Sequence, residues 1–129
     1  MSKALVVDDS RAVRMILARI LRELGYEIGE AGDGKEALRM LDQQPGGYSL
    51  VLVDWNMPVM NGLELLIEMR RRPEYSSLLV LMVTTETELG HMALALEAGA
   101  NEYVMKPFNK EILVSKLEMV GAVTNGVGA

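Results

Sequence analysis

The sequence of 129 residues contains no cysteine and only one histidine. Without cysteine it can form neither a disulfide nor a thiolate metal site, so we expect the reducing cytoplasm as its compartment. No apolar run approaches the ~20 residues of a membrane helix, and the start of the chain lacks the features of a signal peptide, so we expect no membrane contact. Acidic residues outnumber basic ones by 18 to 13, and this excess disfavours direct binding of nucleic acid.

Short apolar runs alternate along the chain with segments whose apolar residues recur at helical spacing. The predicted strands are residues 3–7, 27–30, 50–53, 78–83 and 102–105, and the predicted helices are residues 13–24, 34–44, 62–72, 88–98 and 110–120. Such alternation predicts a doubly wound α/β fold, a parallel sheet with helices on both faces. The length fits one domain. We place it at residues 1–121, with 122–129 as a flexible tail or the start of a linker.

Polar residues follow four of the five predicted strands, while the segment after the second, Ala31-Gly32-Asp33-Gly34, is predicted as a turn. They are Asp8 and Asp9 after the first strand, Asp54 after the third, Thr84 after the fourth and Lys106 after the fifth. In a parallel sheet these ends lie at one edge, where doubly wound folds bind their ligands. Any one of these residues alone is more often a helix cap or a surface residue. Three carboxylates together repel one another unless a cation compensates, so the full set predicts a Mg²⁺ site.

These residues lie in motifs that resemble those of the receiver domain of bacterial two-component response regulators. The motifs are Val6-Val7-Asp8-Asp9-Ser10, Asp54-Trp55-Asn56-Met57-Pro58 with Asn61-Gly62, Val83-Thr84 and Lys106-Pro107-Phe108. The resemblance covers roughly residues 3–120. It implies a flavodoxin-like fold with five parallel strands in the order 2-1-3-4-5 and five helices on both faces.

The resemblance also implies chemical roles for the residues at the strand ends. Asp54 is the implied acceptor of a phosphoryl group from the phosphohistidine of a histidine kinase or a phosphotransfer protein. The implied Mg²⁺ ligands are the carboxylates of Asp9 and Asp54 and the main-chain carbonyl of Asn56, with Asp8 acting through water; Mn²⁺ is an expected substitute. Lys106 is the implied counter-ion of the phosphoryl oxygens, and the proline after it takes a cis bond in this family.

Further residues resemble the family's switch. Thr84 matches the hydroxyl that moves onto the phosphoryl group, and Tyr103 matches the aromatic residue that turns inward with it. Asn56 and Glu86 match positions that modulate dephosphorylation. We expect self-phosphotransfer and slow autodephosphorylation rather than enzymatic turnover, in a monomer. The expected downstream protein target binds the face formed by the fourth helix, fifth strand and fifth helix.

Chemotaxis or motility is the favoured pathway, because the residues after Asp54 and the positions of Glu86 and Tyr103 match the stand-alone chemotaxis subgroup. Thr85 and Gly90 depart from that pattern. We expect His91, the single histidine and far in sequence from the acidic residues, on the surface.

Three alternatives stand beside this interpretation. A flavodoxin-like FMN protein needs a phosphate-binding loop after the first strand, where Asp8 and Asp9 would repel the phosphate. A phosphatase with an aspartyl-phosphate intermediate needs a second carboxylic acid two residues after the nucleophile, where this chain has Asn56. The third alternative keeps the domain but makes it the receiver portion of a multidomain regulator with a separate output domain.

Overall fold

Five parallel strands form one sheet in the part of the chain that the computed structural model describes, residues 2–85 and 89–123. The strands are β1 (Lys3–Val7), β2 (Glu27–Ala31), β3 (Leu50–Val53), β4 (Leu79–Thr84) and β5 (Glu102–Met105). The helices are α1 (Arg11–Glu23), α2 (Gly34–Gln43), α3 (Gly62–Arg70), α4 (Leu89–Ala98) and α5 (Lys110–Met119). The strand order is β2-β1-β3-β4-β5, which confirms the predicted order.

The element boundaries differ from the predicted ones by a few residues at most. β2 extends to Ala31, because that residue pairs with Val7 of β1; we had predicted a turn there. α3 ends at Arg70 and is followed by a short 3₁₀ helix, Pro73–Tyr75. The predicted start of the fourth helix at Glu88 lies outside the described residues, as do residues 124–129 of the predicted tail.

Two hydrophobic cores cover the two faces of the sheet. Because side chains alternate along a strand, Leu5 and Val7 of β1 point to the core shared with α2, α3 and α4, while Ala4 and Val6 point to the core shared with α1 and α5. The four residues of β3 are all buried, as expected for a central strand between two helical layers. Within the described residues, no helix has the length and hydrophobicity needed to cross a membrane.

Candidate functional site

Three carboxylates converge where β1 and β3 end. The two strands are neighbours with Val7 opposite Val53, so the residues that follow them, Asp8 and Asp54, lie side by side. One oxygen each from Asp8, Asp9 and Asp54 lies within 4.8 Å of the other two. Asp8 is 1% and Asp54 8% exposed, whereas Asp9 is exposed. The predicted convergence is therefore present, with two acids buried and one open to solvent.

Lys106, directly after β5, supplies the positive charge of this cluster. Its Nζ lies 2.8 Å from Oδ2 of Asp8 and 3.5 Å from Oδ2 of Asp54. The backbone N–H of Lys106 donates to the carbonyl of Thr84, which fixes the start of this side chain at the end of β4. The Lys106–Pro107 peptide is cis, as the resemblance implied. One ammonium thus faces three carboxylates, and the cluster retains a negative charge.

The surroundings of the Asp54 carboxyl raise its pKa. Its burial raises the pKa, and the charge of Asp8 raises it further. Hydrogen bonds from the Thr84 hydroxyl and the Trp55 backbone N–H lower the pKa, as does the charge of Lys106, but the net shift is upward. The ionised carboxylate is therefore held at a cost in free energy, and an added cation would relieve that cost.

The donor set of the cluster fits Mg²⁺. This ion prefers hard oxygen ligands, commonly one or two carboxylates together with waters and phosphate oxygens. The three clustered carboxylates provide the ligands, and the exposed side of Asp9 leaves room for the rest. Asn56, in the loop after Asp54, is exposed, and its carbonyl as a ligand stays a prediction.

The predicted switch residues are both buried. Thr84, at the end of β4, is 0% exposed and reaches Asp54 as described. Tyr103 on β5 is 3% exposed and belongs to the core shared with α4. The structure therefore brings Thr84 to the acidic cluster and places Tyr103 on the neighbouring edge strand. Glu86, the other position with a predicted effect on dephosphorylation, lies outside the described residues.

Asp8 is held by contacts that the sequence analysis missed. The Ser10 backbone N–H donates to Asp8 Oδ1 at 2.9 Å, while the Ser10 hydroxyl caps α1. Arg14, one turn into that helix, donates from Nη1 to the Asp8 carbonyl at 2.6 Å and from Nε to Glu30 on β2 at 3.1 Å. Arg14 thereby fixes the backbone of the loop after β1, which contains Asp8. The only sequence signal for this contact is the position of Arg14, four residues after the cap residue Ser10.

His91 makes a second contact that the sequence did not predict. It lies at the surface but is only partly exposed, because its ring packs against that of Trp55, with centroids 4.9 Å apart. Trp55 directly follows Asp54. This contact joins α4 to the loop after the candidate acceptor.

Gly62, at the start of α3, marks a close backbone approach. Its N–H donates to the Trp55 carbonyl, and a Cβ at this position would collide with the Asp54 carbonyl oxygen. Asn61 before it caps the helix together with Glu64 in a reciprocal capping box. The Asn61-Gly62 pair thus holds the loop that carries Asp54 against α3.

Gly62→Ala should lower the free energy of unfolding by roughly 1–3 kcal/mol, because the added methyl group overpacks the backbone beside Asp54. Gly90→Ala is the matched control, since a Cβ there meets nothing within 4 Å; it should stabilise α4 by up to about 1 kcal/mol. Urea denaturation of both variants measures the difference. Equal changes in the two variants would contradict the close approach at Gly62.

The fold and the acidic cluster define a class of signalling protein. The family model for the response regulator receiver domain matches residues 4–118, and the chain belongs to that family. It is 41% identical over 128 residues to a chemotaxis protein CheY homolog of Campylobacter jejuni, with 98% of each chain covered. It is 42% identical over 119 residues to chemotaxis protein CheY1 of Helicobacter pylori, with 92% of this chain and 95% of that relative covered.

A solved structure agrees with these relatives. The structure of Vibrio cholerae chemotaxis protein CheY4 superposes with a TM-score of 0.85 at 37% identity, covering 93% of this chain and 98% of that one. The chain is therefore a receiver domain of the CheY type, in chemotaxis-related two-component signalling. Receiver domains of this type bind Mg²⁺ and interact with histidine kinases and downstream targets.

Proposed function

We propose that Asp54 accepts a phosphoryl group from the phosphohistidine of a histidine kinase or phosphotransfer protein. A carboxylate oxygen of Asp54 attacks phosphorus, the bond from phosphorus to the donor imidazole nitrogen breaks, and the electron pair of that bond stays on the imidazole. The observation that carries this proposal is the grouping of Asp54 with two further carboxylates and Lys106 at the edge of the sheet. An ionised carboxylate is already a nucleophile, so no histidine or thiol of this chain is required.

The chain's own residues supply the charge compensation that phosphoryl transfer needs, because the transferring group carries its charge on peripheral oxygens. Lys106, within 3.5 Å of Asp54, would pair with one of those oxygens, and the Thr84 hydroxyl would donate to another. Asp8, Asp9, Asp54 and the Asn56 carbonyl would hold Mg²⁺, which supplies further positive charge when bound. The Arg14 and Ser10 contacts keep the Asp8 loop in place.

The output is a shift in population at the surface of α4, β5 and α5. Thr84 ends β4, the strand that pairs with β5, and Thr84 stands opposite Met105 in that pair. Movement of the Thr84 hydroxyl from Asp54 to a phosphoryl oxygen opens space at the end of β5, which favours the buried position that Tyr103 occupies in this structure. The phosphoryl group makes these contacts in only one of two arrangements, and this differential contact is what shifts an equilibrium. The chemotaxis names of the relatives favour a target in chemotaxis or motility.

Acetyl phosphate and Mg²⁺ should together add one phosphoryl group to the chain and change the fluorescence of Trp55, the single tryptophan. Trp55 adjoins the acceptor, so its environment changes with the charge there. Intact mass and fluorescence measure the two effects. EDTA and Asp54→Asn should each abolish both, whereas Asp33→Asn, at the cap of α2, should leave both unchanged. Phosphorylation of Asp54→Asn, or labelling that EDTA leaves intact, would refute the assignment.

A further inference from the structure

Trp55, the residue directly after Asp54, is held at three points by three different parts of the fold. Its backbone N–H donates to the Asp54 carboxylate. Its carbonyl accepts the N–H of Gly62, at the start of α3, at 2.9 Å. Its ring packs against that of His91 on α4, with centroids 4.9 Å apart and ring planes tilted by 33°. The position of this one residue therefore depends on the acceptor, on α3 and on α4 together.

His91 is placed for this contact by the inward side of α4. It lies in the first turn of the helix, four residues before Ala95, and residues four apart share one face of a helix. Ala95 is fully buried and belongs to the same hydrophobic core as Trp55. The alanine side chain ends at its Cβ, whereas the histidine ring extends further and meets the indole. The first turn of α4 thus contacts the acceptor loop through the ring of His91.

The loop between Trp55 and α3 contains a strained residue. Val59 has a φ of 69°, a conformation that is unfavourable for a β-branched residue. The Val59 side chain is 71% exposed, so core packing does not hold it in place. Strain of this kind persists only where the surroundings fix the backbone. The loop therefore depends on the contacts that fix it, and at its start these are the contacts of Trp55.

We propose that His91 is a positioning residue for the phosphoryl transfer at Asp54. Its ring holds the Trp55 indole, and the indole keeps the backbone N–H of Trp55 on the Asp54 carboxylate. A hydrogen bond to the ionised carboxylate favours that form, which is the nucleophile, and it also fixes the direction in which the other carboxylate oxygen points. His91 acts through Trp55 and not on the reacting atoms. This inference rests on the proposed function, because it gives His91 a part in that same reaction.

A purely structural contact between His91 and Trp55 would have a different signature. If the pair only stabilised the fold, its loss would lower the free energy of unfolding and leave the phosphorylation rate of the folded protein unchanged. A positioning role requires a slower reaction in the folded protein, because a small displacement of a reacting group is costly in rate. The rate of phosphorylation in the absence of denaturant therefore separates the two roles.

Initial phosphorylation rates of His91→Ala and His91→Phe test the role. Intact mass measures the uptake of one phosphoryl group from acetyl phosphate in Mg²⁺ over time. His91→Ala should slow the uptake about threefold or more, the scale of an aromatic pair, and His91→Phe, which keeps a ring beside Trp55, should restore most of the rate. Leu94→Ala is the matched control on α4, where the side chain is 47% exposed; its rate should equal that of the wild type. Equal rates for His91→Ala and Leu94→Ala, or no rescue by His91→Phe, would overturn the inference.

A double-mutant cycle tests whether His91 acts through Trp55. Trp55→Leu removes the ring contact and keeps an apolar side chain in the core. In that background His91→Ala should cause no further slowing of phosphorylation, because the contact through which it acts is already gone. Undiminished slowing by His91→Ala in the Trp55→Leu protein would mean that His91 acts by another route, and the inference would be wrong.

The Trp55 amide gives a measurement that does not depend on phosphorylation. Its hydrogen exchange, resolved by NMR, should be at least about threefold faster in His91→Ala, because a weakened hydrogen bond opens more often. His91→Phe and Leu94→Ala should exchange as the wild type does. Unchanged exchange in His91→Ala would overturn the inference whether or not the wild type is phosphorylated. Absence of labelling in the wild type would refute the proposed function, whereas equal labelling rates of the wild type and His91→Ala would refute this inference alone.

Discussion

Lys106→Met should lower the free energy of unfolding by about 3 kcal/mol at pH 7, because removing one partner of a buried ion pair leaves the other charge uncompensated. The Lys106 ammonium is 2.8 Å from Asp8, whose side chain is 2% exposed. Methionine keeps most of the length and the apolar stem of lysine, so the loss reports on charge. Urea denaturation at pH 7 measures it.

The matched control for Lys106→Met is Lys110→Met. Lys110 pairs with Glu23 at a similar distance of 3.1 Å, but both side chains are about half exposed, 54% and 49%. Loss of an exposed pair costs less than about 1 kcal/mol. Asp8→Asn in the Lys106→Met background should recover part of the stability, since it removes the orphaned charge. Equal losses in the two lysine variants, with no recovery, would mean that the Lys106 cluster is an ordinary surface pair.

The positions of the acidic residues and Lys106 could be predicted because parallel topology fixes them. A polar residue follows four of the five predicted strands, and only the direction of the strands is needed to place Asp8, Asp54 and Lys106 together. The same reasoning could predict the two helical layers, since the apolar spacing already marks the inward face of each helix.

The contacts of Arg14, Gly62 and His91 could not be predicted in this way. Each depends on a loop conformation: Arg14 reaches a carbonyl of the loop after β1, and Gly62 meets the carbonyl of Asp54. His91 meets Trp55 across the space between α4 and the loop after β3. Sequence spacing carries no information on such approaches, because loop backbones do not follow a fixed period. Ala31 shows the reverse case, where pairing with Val7 overrides a local turn signal.

Asp54→Asn should raise the melting temperature of the Mg²⁺-free protein at pH 7, although most point mutations lower it. Two like charges about 4 Å apart cost about 1–4 kcal/mol, depending on the effective dielectric, and Lys106 offsets only part of this. A net gain of about 1 kcal/mol corresponds to roughly 4 °C for a domain of this size. Asp9→Asn should act in the same direction but less, because Asp9 is exposed.

The pH dependence of that gain follows from the raised pKa of Asp54. The folded protein holds the Asp54 proton more tightly than the unfolded chain does. Protonated Asp54 therefore favours folding at acid pH, and this contribution is lost as the pH rises through the raised pKa. The advantage of Asp54→Asn should accordingly be full at pH 7 and shrink as the pH falls below the raised pKa. Melting curves across this range in EDTA measure it.

Magnesium should reverse the ranking of these proteins. A ligand that binds only the folded state stabilises it by ~2.7 kcal/mol at a hundredfold excess over its Kd. The wild type should gain this stability in Mg²⁺, and the gain should shrink in Asp54→Asn and Asp9→Asn, which lack a ligand charge.

Asp33→Asn is the matched control, because asparagine caps a helix as well as aspartate does; its melting temperature and Mg²⁺ gain should equal those of the wild type. If Asp54→Asn and Asp9→Asn both melt below the wild type in EDTA and all four proteins gain equally from Mg²⁺, the carboxylates neither destabilise the folded protein nor bind the cation. The metal site would then be refuted together with the charge compensation that the proposed phosphoryl transfer requires.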